Sequence, residues 1–336
     1  RIEMKHTDKI LRHVGNMEQM AYVRRMFFGE GHAKNTGVFS FDNGIISFSV
    51  AIDHGMDIVS LRYKGKNLTF LSKAGMLGNA SDYSRNIMCG LLFTCGLDNI
   101  GTPTESSPQH GRIRALPAEH TSSHAYWKDG EYNLACEGEV RQGTLFGENL
   151  TLRRHISTQL ESPCIVLEDE IINNSFRDEP LYLMYHFNFG YPLLSEGSRI
   201  IIPSRKCTPR NESVCKAMVD TSPYIMDAPV DNYPEQVFFH ELNADKNKNT
   251  FCALVNAEGN LAIKLSFSRD ELPYFTQWKS IGSGDYVVGL EPGFTPLDGN
   301  AAPFLAPGEV KRTRLTIEVA EGEEAILALE REANNL

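Results

Sequence analysis

Ile46-Ser47-Phe48-Ser49-Val50-Ala51-Ile52 sets four large apolar residues, Ile46, Phe48, Val50 and Ile52, against Ser47, Ser49 and Ala51. A period of two puts those four side chains on one face of an extended chain, the pattern of a half-buried strand. The same period returns far downstream. Leu261, Ile263, Leu265 and Phe267 alternate with Ala262, Lys264, Ser266 and Ser268, and Thr313, Leu315, Ile317 and Val319 alternate with charged or polar neighbours. Between such runs lie turn signals of hairpin length: Lys64-Gly65-Lys66, Lys128-Asp129-Gly130 and Asn256-Ala257-Glu258-Gly259-Asn260. Connections this short join antiparallel neighbours, because a parallel crossover consumes about a dozen residues or more. The expected fold is therefore all-β, a large antiparallel sandwich of two sheets packed face to face.

The period is different before residue 37. Ile10, Leu11, Val14, Met17 and Ala21 fall at helical spacing within residues 8–25, with Thr7 or Asp8 placed to cap the start. The chain thus divides into an N-terminal helical segment, 1–36, and a single β-sandwich domain, 37–336. No linker rich in Pro, Gly or Ser interrupts the second part. The stretch Ser204 to Pro234 reads as a long polar loop, either the cover of a site or an insertion.

Composition narrows the function. With 33 basic and 43 acidic residues the formal charge is -10, and the basic residues form no stripe, so nucleic acid is excluded as a partner. No run approaches the ~18 apolar residues of a membrane helix, and the start RIEMKHTDKI lacks the order of a signal peptide, so the expected location is cytoplasmic. Seven cysteines, without CxxC pairs or zinc-site spacing, read as reduced and mostly buried thiols.

Three segments carry groups suited to chemistry. In Leu181 to Gly190, a strand would turn Leu183, Tyr185, Phe187 and Phe189 to one face and Met184, His186 and Asn188 to the other, so that His186 and Asn188 line a polar cleft. In Tyr286 to Gly293, an apolar strand ends on Glu291, held extended by Pro292, where a tuned carboxylate pKa is plausible. In Gln109-His110-Gly111-Arg112-Ile113-Arg114, Gly111 permits an unusual backbone angle between an imidazole and a guanidinium that can both donate to sugar hydroxyls. Arg85, Asp98, Gln277 and Trp278 are further candidates of the same type.

In their order these segments resemble the aldose 1-epimerase (galactose mutarotase-like) superfamily, in an uncharacterised branch of it typified by Gly-Leu-Leu-Phe-Thr-Cys-Gly-Leu-Asp-Asn at 90–99. The resemblance extends from about residue 40 to 320. His110 and Gly111 match the family's early His-Gly. His186 with Phe187 and Phe189 matches the middle histidine in part, and Glu291-Pro292 matches the late Glu-Pro. The resemblance implies the galactose mutarotase-like supersandwich. It also implies His186 as general acid, Glu291 as general base, and His110 and Arg85 as groups that hold the sugar. Tyr185 stands where the family has Asn, and Arg112 where it has a second Gly, which leaves the sugar unassigned. Asp53-His54-Gly55-Met56-Asp57 also resembles this branch, and presents His54 or Asp53 to substrate or forms a structural turn.

Anomer exchange needs what these residues supply. A base takes the proton of the C1 hydroxyl while an acid protonates the ring oxygen, the ring opens to the aldehyde, and rotation then reclosure completes the exchange. Neither a cofactor nor a metal is expected. An ionised Glu291 would raise the pKa of His186. The implied partner is a small-molecule sugar, with no nucleic acid and no membrane, and a homodimer is left open. Two rival classes remain: a sugar-binding or sensing protein without turnover, and a metal-dependent isomerase in which His54, His110, His186 and Glu291 converge on one ion.

Overall fold

A computed structural model describes residues 6–76, 87–211, 222–297 and 302–336, with side chains from residue 9 onward. Strands dominate it, in sheets of eight, six, five and two strands, and the pairings within these sheets are antiparallel. The three predicted turns each join hydrogen-bonded neighbours. Lys64-Gly65 closes Asp57–Tyr63 on Lys66–Asn67, Asp129-Gly130 closes Ala118–Lys128 on Glu131–Gly143, and residues 256–260 close Asn249–Val255 on Leu261–Ser268. No described helix is long and apolar enough to cross a membrane.

The six-stranded sheet carries the site. Its order is Ser204–Pro209, Gln236–Leu242, Tyr274–Gly282, Asp285–Gly293, Tyr182–Phe189 and Leu92–Leu97. One face packs on the eight-stranded sheet. There Leu183, Tyr185, Phe187 and Phe189 share a core with Leu152, Leu167, Leu265 and Leu315, while Phe39, Phe41 and Phe48 join it from the five-stranded sheet. The opposite face bears Met184 with Phe93, Cys95 and Val287 in a second, smaller cluster. Strand parity thus sorts Tyr182–Phe189 as the sequence implies.

Between the sheets lies a fully buried ionic network. Arg154 donates to Asp57 at 2.7 Å and to Asp169 at 2.7 and 2.9 Å, and Arg154 Nη2 also reaches Thr94 at 3.0 Å. The Tyr185 hydroxyl lies 2.6 Å from both Asp169 and Thr313. Burial pushes the Asp57 carboxyl above its ordinary range, against the pull of Arg154. Such a network contributes geometry more than net stability, because desolvation consumes much of the Coulomb gain. Its members sit next in sequence to residues of the outer face: Tyr185 precedes His186, and Thr94 follows Phe93.

Three local expectations are corrected. The helix expected over 8–25 runs only over His6–His13; Asn16 then caps a short turn at Met17–Gln19, and Tyr22–Phe27 is a strand paired with Gly37–Asp42. Pairing with a partner strand outweighs local helical spacing there. A second helix, Glu323–Asn334, went unpredicted; it buries Ile326 and Leu329 against Phe251, Ala253 and Val255. Within Ser204 to Pro234, Ser204–Pro209 is an edge strand rather than loop, residues 212–221 lie outside the described residues, and the buried Lys279 holds the segment beyond them by bonds to Ser222, Ile225 and Asp227. The six described cysteines are free thiols.

Candidate active site

Cross-strand register assembles the site. His186 pairs with Phe93, Asn188 with Gly289, and Glu291 with Thr276, while Trp278 pairs with Gly289 from the other side. Residues paired in register, and those two apart along a strand, share a face. His186, Asn188, Glu291 and Trp278 therefore all project from the outer face of the six-stranded sheet. His186 Nε2 lies 3.0 Å from Glu291 Oε1, and both residues are almost closed off, at 3% and 2% exposure. The approach is too oblique to count as a hydrogen bond: Glu291 Oε1, His186 Nδ1 and Asn188 Oδ1 are all buried without a partner. Unmet polar atoms in a buried site mark a place where a polar ligand gains hydrogen bonds at little further desolvation cost.

The aromatic surroundings hold the histidine in place. The rings of His110 and Trp278 meet His186 edge to face, with centroids 5.7 and 5.5 Å away, and Phe93 packs on His110 at 5.8 Å. His110 sits on the loop between Leu97 and Ile113. Its Nδ1 donates to the Ile100 carbonyl at 2.8 Å, which in the neutral ring leaves Nε2 as an acceptor. Burial lowers the His110 pKa, so this ring accepts a hydroxyl proton rather than donating one, contrary to the expectation from sequence. At Gly111 φ is +75°, and a Cβ there would collide with the carbonyl oxygens of Gly96 and Asn99. Only glycine lets the loop return this closely to the sheet.

Burial also sets the protonation of the pair. His186 is driven well below the usual imidazole range by desolvation and then by His110. Glu291 is driven well above the usual carboxylate range by desolvation and then by Glu235, with Arg210 acting the other way. Both shifts favour the uncharged form of each side chain. This reverses the expectation that an ionised Glu291 raises the His186 pKa: in a site this closed, desolvation outweighs the ion pair.

The other candidates are placed differently. Asp98 accepts from the Ser107 hydroxyl at 2.5 Å and the Arg112 amide at 3.1 Å and pairs with the Arg112 guanidinium at 2.7 Å, so these two residues brace the loop that carries His110. Gln277 projects from the opposite face, being one residue out of phase with Trp278; it donates to the Pro223 carbonyl and contacts His240 at 2.9 Å. His54 is buried against Arg114, whose guanidinium also reaches Cys89 and lies over Phe93. Arg85 lies outside the described residues. No three of His54, His110, His186 and Glu291 bring donor atoms within 4.8 Å of one another; among the described residues only Glu119, His120 and Glu139 do, on the eight-stranded sheet. The convergence required by the metal-dependent rival is absent from the described residues.

Sequence reading missed Gly289, Glu235 and Arg210. A Cβ on Gly289 would stand 2.7 Å from Glu291 Oε1 and 2.8 Å from His186 Cε1, so this glycine makes the room in which the pair meets. A glycine inside an apolar strand was the available signal. Glu235 accepts from Trp278 Nε1 at 2.8 Å and from Arg210 at 3.1 Å. Arg210 also lines a cavity of about 350 Å³ with His110, Asn99, Gln109 and Tyr182. No local pattern marks that pair, because distant segments bring it together.

A family model described as a domain of unknown function, DUF4432, matches residues 33–319. The chain belongs to the DUF4432 family. No curated protein matches it by sequence. Solved structures do match in fold. A Klebsiella pneumoniae protein provisionally named as an aldose 1-epimerase superposes with a TM-score of 0.88 at 20% identity, over 95% of this chain and 90% of its own. A galactose mutarotase-like protein from Clostridium acetobutylicum gives 0.61 at 14% identity, over 90% and 99%. Another from Lactobacillus casei gives 0.55 at 14%, over 84% and 100%. The DUF4432 chain thus has the galactose mutarotase-like fold.

Proposed function

We propose that this DUF4432 protein interconverts the α and β anomers of an aldose by acid–base ring opening, with His186 and Glu291 as the proton-transfer pair. One observation carries the reading: an imidazole and a carboxyl from adjacent strands meet at 3.0 Å, buried, with unsatisfied polar atoms beside them. A pair holding one proton can give one to the ring oxygen and take one from the C1 hydroxyl with no net change. A sugar hydroxyl bonded to Glu291 favours its ionised form and passes the proton to His186, which sets up the histidine as acid and the carboxylate as base. His110 Nε2 accepts from a further hydroxyl and fixes the ring. The likeness of fold to proteins named as mutarotases supports this reading without deciding the sugar.

Saturation-transfer NMR of anomer exchange across a panel of aldoses tests it. Exchange above the spontaneous rate is expected for at least one sugar. Binding of that panel without any exchange would leave a sugar-binding protein.

A further inference from the structure

We infer that the sugar turned over at this site is an acidic oligosaccharide of at least two units. Its reducing end meets His186 and Glu291, and its charged unit lies in a second arm of the cleft. The inference rests on the epimerase reading and adds the substrate class.

Two cavities with a shared wall lie near the pair. Pro296 and Leu297 wall both the cavity beside His110 and a second cavity of about 690 Å³. Register shows where that second arm leads. Glu291 pairs with Thr276, Thr276 with Phe239, and Phe239 with Thr208, and the last three line the arm. They step across the sheet on the face that bears Glu291, over three strand spacings or about 14 Å. A single pyranose ring at the His186–Glu291 pair leaves that distance unfilled.

The wall has the chemistry of a carbohydrate subsite. Tyr274, on the same strand face as Thr276, is 43% exposed, and with Phe239 it offers a flat apolar surface to the C–H face of a sugar ring. The charge is positive in a chain of net charge -10. Arg205, Lys206 and Arg269 line the arm, and among the described residues Glu241 is its one acidic group. Arg205 and Lys206 share that carboxylate, at 3.0 and 3.6 Å. Arg269 makes no ion pair among the described residues, and its Nε is buried without a partner. A carboxylate, sulfate or phosphate on the substrate would complete this set. Lys206 and Arg205 stand on the edge strand, three strands from Glu291, which assigns the charge to the distal unit and leaves the reacting ring neutral.

The test compares anomer exchange of glucose, a neutral reducing disaccharide, and a reducing disaccharide ending in a uronic acid. Expected kcat/KM rises in that order, by about tenfold in the last step for one charged hydrogen-bonded contact, and added salt shrinks that step. The Lys206→Gln, Arg269→Gln double variant should bring the acidic disaccharide down to the neutral one. Tyr274→Ala should raise KM for both disaccharides by about 2- to 10-fold, with a smaller effect on kcat. Exchange of glucose as efficient as that of both disaccharides, or no preference for the acidic one, overturns the inference and leaves the epimerase reading standing. If the acidic disaccharide quenches tryptophan fluorescence on titration but neither it nor any aldose is exchanged, the epimerase reading fails while the ligand class holds.

Discussion

Gly289→Ala adds one carbon at the point where the pair meets. The new Cβ would lie 2.7 Å from Glu291 Oε1, 2.8 Å from His186 Cε1 and 3.0 Å from Trp278 Cβ, where ordinary contact begins at 3.4 Å. The side chains of the proposed pair must therefore retreat by about 0.6–0.7 Å, and a misplacement of about 1 Å of reacting groups costs roughly 10²-fold in rate. Overpacking of a filled site costs about 1–3 kcal/mol. The expected outcome is a fall in kcat of one to two orders of magnitude with a modest loss of stability, because the sheet itself is untouched. Anomer exchange by saturation-transfer NMR measures the first quantity, and urea unfolding followed by circular dichroism measures the second. A variant that exchanges anomers at the parent rate would refute the claim that the reaction occurs between His186 and Glu291. A variant that unfolds would move the test to lowered temperature, with the parent measured alongside.

Glu291→Gln and His186→Asn should each lower exchange turnover by about 10²-fold or more while sugar affinity changes little, since the lost groups act in the transition state; parent-like turnover in both would remove the pair from the mechanism. The pH profile should be a bell whose limbs belong to the pair as a whole. Activity falls on the acid side when a second proton charges His186, whose pKa is held well below the imidazole range, and on the alkaline side when Glu291 loses its proton, held well above the carboxylate range. An acid limb at or above the ordinary imidazole pKa would contradict this assignment. Arg154→Met leaves Asp57 and Asp169 buried without their cation, and should cost about 3–5 kcal/mol in urea unfolding near neutral pH. That deficit should shrink as pH falls and Asp57, whose carboxyl burial already pushes upward, takes up a proton; a cost under ~1 kcal/mol would show the network to be energetically idle. Addition of a chelator should leave anomer exchange unchanged, and a loss restored by added metal would revive the metal-dependent rival.

Strand alternation and hairpin turns made the sheets legible, because both are local signals with strict geometry. The short N-terminal helix is present at His6–His13, but the helical spacing beyond it misled for the complementary reason. Tyr22–Phe27 becomes a strand through Gly37–Asp42, and no window around residue 22 contains that partner. The same distinction runs through the site. Parity along one strand placed His186 and Asn188 together, but whether Gln277 or Trp278 faces the cleft depends on the register of its strand against Asp285–Gly293. Asp98 and Arg112 were read as sugar-binding candidates, and their bond to each other was hidden because both lie on one folded loop. Protonation was the least legible property. The residue types suggest an ion pair, while the degree of burial, visible only in three dimensions, favours the neutral one.

The alternation of a single strand explains why the site tolerates so buried a pair. On Tyr182–Phe189, Tyr185 projects into the Arg154–Asp169–Thr313 network and His186 projects the opposite way toward Glu291. Fixing the hydroxyl of Tyr185 between two sheets fixes the backbone from which His186 departs, and Thr94 does the same for Phe93, which packs on His110. The imidazole thus needs no hydrogen bond to its own Nδ1 to stay in place, and Nδ1 is left without a partner. A site held by apolar rings on one side and a satisfied ionic core on the other can keep an imidazole and a carboxyl close together, which is the arrangement that the proposed proton transfer at a hemiacetal requires.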